Sequence, residues 1–318
     1  MNFIHENLEE LKKRLINESL FNKLDFDEQE ELIKKVVDKV QEYSKDFETR
    51  IVQTGREGIE CEITYDTNII MQAKCYYNVE NKYTGKIIIS RMMICAMYEF
   101  FYGFDYSDIV SDGKNIDNIK MLAWYSAFEF LINHEMCHIY RGHLLYKDNF
   151  NEFEKENENI ILKCLEYDAD CYLATQFFYS LMLMNKEKVL PNDFSIKLYT
   201  LALHGALYWM DQTLDKQKTN QHFSIRVREE IIKNVIRDLA LRDTHFQSDE
   251  VQNKLYQVDK LIEEYDKCFD SFFNISNKEV QMEISVEKAI RKMNRVWNRI
   301  VCERLENYSI MPLIDPVK

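Results

Sequence analysis

Three prolines and seven glycines in 318 residues leave this chain very few positions at which an α-helix is obliged to stop. Proline costs a helix interior about 3 kcal/mol and glycine about 1 kcal/mol relative to alanine, so their scarcity favours long helices. An apolar content of 46% is enough at this length to bury a substantial core in one or two domains. A mainly helical chain is expected, with one exception.

The exception runs from Arg50 to Ser90. Glu60–Tyr65, Asn68–Tyr77 and Lys86–Ser90 are β-branched and aromatic runs separated by turn formers such as Asn81 to Gly85, and they predict a small sheet of about three strands. Before it, residues 6 to 48 read as two amphipathic helices, with Leu8, Leu11 and Leu15 and then Leu32, Ile33, Val36, Val37 and Val40 as their stripes. After it, an apolar helix over Arg91–Phe101 leads through a polar loop, Phe104–Asp117, that can border a cleft. Pro191 to Asp193 opens a further helix over Phe194–Leu214, and from Glu229 onward the pattern is helical to the end. The expected class is therefore α+β and mainly helical: an N-terminal helical segment over 1–49, a core over 50–235 and a helical region over 236–318.

A net charge of −13 disfavours nucleic acid or an anionic membrane surface as the main partner. There is no run of about 18 apolar residues to span a bilayer, and the charged segment Met1–Glu10 is not a signal peptide. Eight scattered cysteines contain no C-x-x-C pair, so they read as small hydrophobes in a reducing cytoplasm.

Chemistry enters at His134-Glu135-Met136-Cys137-His138, an H-E-x-x-H sequence inside an apolar segment that includes Trp124, Phe128, Leu131 and Ile132. Each helical residue advances about 100°, so His134 and His138 face the same way one turn apart, with Glu135 beside them. Buried imidazoles and a carboxylate need partners, and one metal ion supplies them. Zinc is the expected cofactor, because it accepts neutral imidazole and a catalytic site adds one further protein ligand and an open position for water. Glu135 is then the general base toward a zinc-activated water.

The third ligand has two candidates. His143 lies about 140° around the helix from His138, which makes it a surface residue at the helix end after Gly142, and Gly142 and His143 do not fit metzincin spacing. A second apolar helix, Ile160–Phe178, carries Glu166 and Asp170 on one face, with Asp168 rotated away by about 200°. Zinc on Glu166, and a ligand imidazole N–H donated to Asp170, would hold both acids.

Glu166-Tyr167-Asp168-Ala169-Asp170 after H-E-x-x-H resembles the gluzincin metallopeptidases, particularly their HtpX and CAAX-prenyl-protease branch. His138-Ile139-x-x-Gly142-His143 extends the resemblance, and in size the chain is similar to the Lit-type phage-exclusion peptidases. His222 and Arg228 resemble a later family element, His-Pro-x-x-x-x-Arg, with Phe223 where proline is usual. The resemblance implies a zincin-like core with the sheet beside the metal helix, and a protein or peptide substrate. It also implies zinc on His134, His138 and Glu166, with Glu135 as base.

His222 is a candidate donor to the tetrahedral oxyanion, with Arg226 and Arg228 anchoring its segment. By the same analogy Ile87–Ser90 would be an edge strand that pairs with extended substrate; an internal strand is the alternative. His204 reads as a hydrogen-bonded core histidine. The expected function is zinc-dependent endopeptidase in the cytosol. Alternatives are a non-catalytic protein whose zinc is structural, serving as binding or sensor module, and hydrolysis of a non-peptide amide.

Overall fold

The computed structural model describes residues 10–11, 13, 26–46, 56–64, 71–77, 83–109, 116–183, 193–213, 223–242, 249–273, 275 and 286–309. Along them run helix α1 (Phe26–Asp46), strands β1 (Arg56–Thr64), β2 (Met71–Tyr77) and β3 (Tyr83–Ser90), and helices α2 (Arg91–Tyr102) and α3 (Ile116–Tyr140). There follow α4 (His143–Asp148), α5 (Glu152–Glu156), α6 (Glu158–Leu183), α7 (Asp193–Thr213), α8 (Ile225–Arg242), α9 (Asp249–Phe273) and α10 (Val286–Val296). The described chain is mostly helical with one small three-stranded sheet.

The helices form where apolar residues recur on one side. In α1, Leu32, Val36 and Val40 are buried at four-residue spacing, and the helix lies on β1, α2 and α3. Ser90 ends β3 and caps α2, its Oγ accepting the Met93 N–H at 3.1 Å. α2 is buried along nearly its whole length, with Phe100 stacked among Trp209, Phe269, Phe272 and Phe273. Each aromatic ring so enclosed contributes about 1.5–3 kcal/mol through removal from water. α3 is therefore flanked by α2, α6 and α7, with the sheet along one side. No described helix is long and apolar enough to cross a membrane.

The strand order is β1-β3-β2, with β3 parallel to β1 and antiparallel to β2. Ile87–Ser90 is therefore central, not the substrate-facing edge that the family analogy suggested. The reason is visible in its composition: Ile87, Ile88, Ile89 and Ser90 are all buried, as expected for a strand covered on both faces. The edge beside α3 and α4 belongs to β2, which mixes buried Met71 with exposed Lys74. β3 meets the end of α3 closely at Gly85, where a Cβ would lie 2.6 Å from Ile139 Cγ2.

The described part of the polar loop, Phe104–Ile109, does not border the cleft. Phe104 packs edge-on against Tyr265 and at a tilt against Phe269 of α9, and the Asp108 carbonyl accepts from Lys197 of α7 at 2.7 Å.

Candidate metal centre

The last two turns of α3 are buried on every side, from Asn133 to Tyr140. This forces polar side chains there to find partners inside the protein. His134 and His138 lie one turn apart with their Nε2 atoms 3.3 Å from each other. Glu166 of α6 reaches both: Oε2 is 3.3 Å from His134 Nε2 and Oε1 is 3.6 Å from His138 Nε2.

These separations test whether zinc fits. Bonds of about 2.0–2.1 Å in a tetrahedron set neighbouring ligand atoms roughly 3.3–3.4 Å apart. The two ring nitrogens stand at that spacing, and so do His134 Nε2 and Glu166 Oε2, while the other carboxylate oxygen, Oε1, is slightly farther from His138 Nε2. Burial alone would push His134 below its ordinary pKa, yet hydrogen bonds to Asp170 and Glu166 outweigh it and lift the imidazole to about 9. The site favours positive charge.

Each ligand ring is also held from behind. His134 Nδ1 faces Asp170 Oδ1 at 3.4 Å, at the outer edge of hydrogen-bond range. Asp170 accepts two hydrogen bonds from Arg228, Nε at 2.9 Å and Nη2 at 2.6 Å. Burial raises the Asp170 pKa, but Arg228 and then His134 more than reverse this and keep it below its ordinary value. Behind the other ring, His138 Nδ1 is 2.9 Å from His143 Nδ1, and His143 Nε2 is 3.1 Å from Asp168 Oδ2. Arg141 Nε lies 3.7 Å from the same oxygen.

One set of tautomers satisfies this chain. With Nε2 lone pairs turned to the centre, His134 donates Nδ1–H toward Asp170, and His138 donates Nδ1–H to His143 Nδ1. His143 then donates Nε2–H to Asp168. Each ligand imidazole is thus oriented by a carboxylate that a buried arginine neutralises, directly in one case and through a third ring in the other.

His143 is therefore not a surface residue; it is 1% exposed. The 100° rule fails for it because α3 ends at Arg141 and Gly142, where Gly142 takes φ +71° before α4 begins. That turn folds the His143 ring back beneath His138. Asp168, rotated off the face of Glu166, looks to His143 as its angle requires. Arg141 had no signal of its own in the sequence.

Glu135 is 8% exposed, and its Oε2 accepts the Ala73 N–H of β2 at 2.6 Å. β2 forms one wall of a cavity of about 270 Å³ beside the donors, with Leu144 and Lys147 of α4, Leu162 and Leu165 of α6, and Met210 of α7 around it. His222, the candidate oxyanion donor, lies outside the described residues. Cys137 shares a cluster with His143 and Asp168. Burial pushes its thiol pKa far up, so in the metal-free chain it is a neutral thiol.

His204 is buried as expected, but its partners come from distant segments. It bonds to Asp266, lies 3.4 Å from Glu229, and shares them with Arg226, which also pairs with Asp270 at 2.6 Å. Arg226 thus ties α8 to α9. Comparison of the chain with models of protein families, with curated proteins and with solved structures gives no match.

Proposed function

We propose that the chain is a zinc-dependent endopeptidase of gluzincin type, built on a zincin-like core, with zinc on His134, His138 and Glu166. The observation that carries this reading is the convergence of two ring nitrogens and one carboxylate, with 3.3 Å between the Nε2 atoms, 3.3 Å from Glu166 Oε2 to His134 and 3.6 Å from Glu166 Oε1 to His138, at the floor of an open cavity. A bound zinc ion would polarise a carbonyl and lower the pKa of a water molecule to about 7.

Glu135 adjoins His134 and faces the same cavity, so its carboxylate can take a proton from the attacking water and return it to the departing amine. Asp170 and the His143–Asp168 pair hold the two imidazoles in the tautomer that ligation needs. The Ala73 N–H points away from β3 toward Glu135. By the alternation of a strand, the Ala73 carbonyl and the backbone groups of Met71 and Cys75 then also face outward. An extended peptide can pair with that edge. The eight cysteines, all free, fit action in a reducing cytoplasm.

Glu135→Gln tests the reading. The variant is expected to bind one zinc ion per chain and to cleave nothing that the wild type cleaves. Proteolysis that survives the substitution removes Glu135 from its role.

A further inference from the structure

An edge strand reads a peptide's backbone and is indifferent to its side chains, so selectivity must come from the other walls of the cavity. Those walls are apolar at Leu144, Leu162, Leu165 and Met210. Among the described residues, the charged groups lining the cavity are Glu135, Glu166, Lys74 and Lys147, besides the histidines of the centre. Both acids are engaged at the centre itself. Both remaining charges are cations.

Their placement ties them to the site. Lys74 follows Ala73, whose N–H holds Glu135, and Lys147 stands one turn after His143 on α4. β2 and α4 pack against each other, and both lysines are among the residues lining the cavity. Both are exposed, and among the described residues neither has an ion-pair partner. In a chain of net charge −13, two lysines beside the site run against the average field. An acidic partner repelled by the rest of the surface is admitted there.

Taking the chain as a zinc endopeptidase, as proposed above, we infer that its substrate is an extended segment with an apolar side chain and an Asp or Glu within a few residues of it. The apolar side chain fills the space between α4 and α6. The carboxylate lies against Lys74 and Lys147.

The test uses zinc-loaded protein and three fluorogenic peptides with one apolar frame, flanked by Glu, Gln or Lys. An exposed ion pair changes an equilibrium by up to about fivefold, so two lysines attracting one peptide and repelling the other separate them by about tenfold. The expected order of kcat/KM is Glu over Gln over Lys, with a gap that narrows as salt rises. The double variant Lys74→Glu/Lys147→Glu is expected to invert the order. Anisotropy of the same peptides, labelled, on Glu135→Gln protein measures cleft binding without turnover.

Cleavage that Glu135→Gln abolishes, but that ignores the flanking charge or keeps its order in the double variant, overturns the acidic preference and leaves the peptidase reading intact. Charge-selective binding with no cleavage by the wild type overturns the peptidase reading and keeps the acidic preference of the cleft. Neither binding nor cleavage of any of the three overturns both.

Discussion

His143→Phe removes both links between His138 and Asp168 while filling the same volume. The structure sets the scale. A neutral hydrogen bond at 2.9 Å and one to a carboxylate at 3.1 Å are lost from an environment where the ring is 1% exposed. The first is worth about 1 kcal/mol and the second about 1.5–3 kcal/mol, so stability falls by roughly 2–4 kcal/mol. His138 also loses the acceptor that fixes its tautomer, and such losses weaken metal binding by about 10- to 100-fold. The assay is a zinc competition titration against a chromophoric chelator, on protein shown to be folded by circular dichroism. His143→Gln is the control, because its amide offers an acceptor to His138 and a donor to Asp168. It is expected to recover at least half of the lost affinity. Wild-type zinc affinity in folded His143→Phe refutes the reasoning, and equal weakness in both variants assigns the loss to packing.

Three further outcomes are expected. The lifted pKa of His134, about 9, means that zinc must displace a proton at neutral pH. Zinc affinity should therefore rise by up to about tenfold per unit from pH 7 and level off near 9, and calorimetry in buffers of different ionisation enthalpy should register proton release; a flat profile contradicts it. Burial and then Asp266 raise the Glu229 pKa well above its ordinary 4.5, so its contribution to stability is full below that value and is lost as pH rises through the folded one. In urea unfolding from pH 5 to 9 the wild type should lose stability relative to Glu229→Gln, by up to about 1.4 kcal/mol per pH unit, whereas parallel profiles would remove the group from the linkage. Gly142→Ala puts a Cβ at φ +71° and 2.3 Å from the Tyr308 carbonyl oxygen, and should cost more than the roughly 1–2 kcal/mol of a left-handed residue alone, read as a lowered unfolding midpoint.

Features set by local periodicity were legible in the chain before its folding was known. The α1 stripe, the three strands and the shared face of Glu166 and Asp170 each follow from spacing within one element. The same rule sent Asp168 away from that face, toward what is now His143. Where the rule crossed Gly142 it failed, because a left-handed residue resets the helical phase. Of the two readings open for Ile87–Ser90, an edge by analogy or an internal strand, the structure takes the second, in keeping with the unbroken Ile87–Ile89 run, which is buried, and with the mixed character of Met71–Cys75 at the edge. The partners of His204 were beyond reach of any local pattern. Asp266 lies 62 residues from it, and only the packing of α7 on α9 brings them together.

The charge balance of the centre explains why its acids tolerate one another. Glu135, Glu166, Asp168 and Asp170 bring four negative charges to one region, and Arg141 and Arg228 return two positive ones. Asp168 and Asp170, each 1% exposed, are the two acids that the arginines pair, so the remaining charges are those of Glu135 and Glu166 at the cavity. The deficit of two is the charge of one divalent cation. In the metal-free chain the lifted pKa of His134 covers half of it with a proton. A purely structural polar cluster has no reason to stay short of charge, as the Arg228–Asp170 pair, with two hydrogen bonds and no excess, illustrates. A metal centre of the kind proposed would carry that shortfall and meet it on binding a dication. It must also leave one face open, as Glu166, with 17% of its side chain exposed to the cavity, does here.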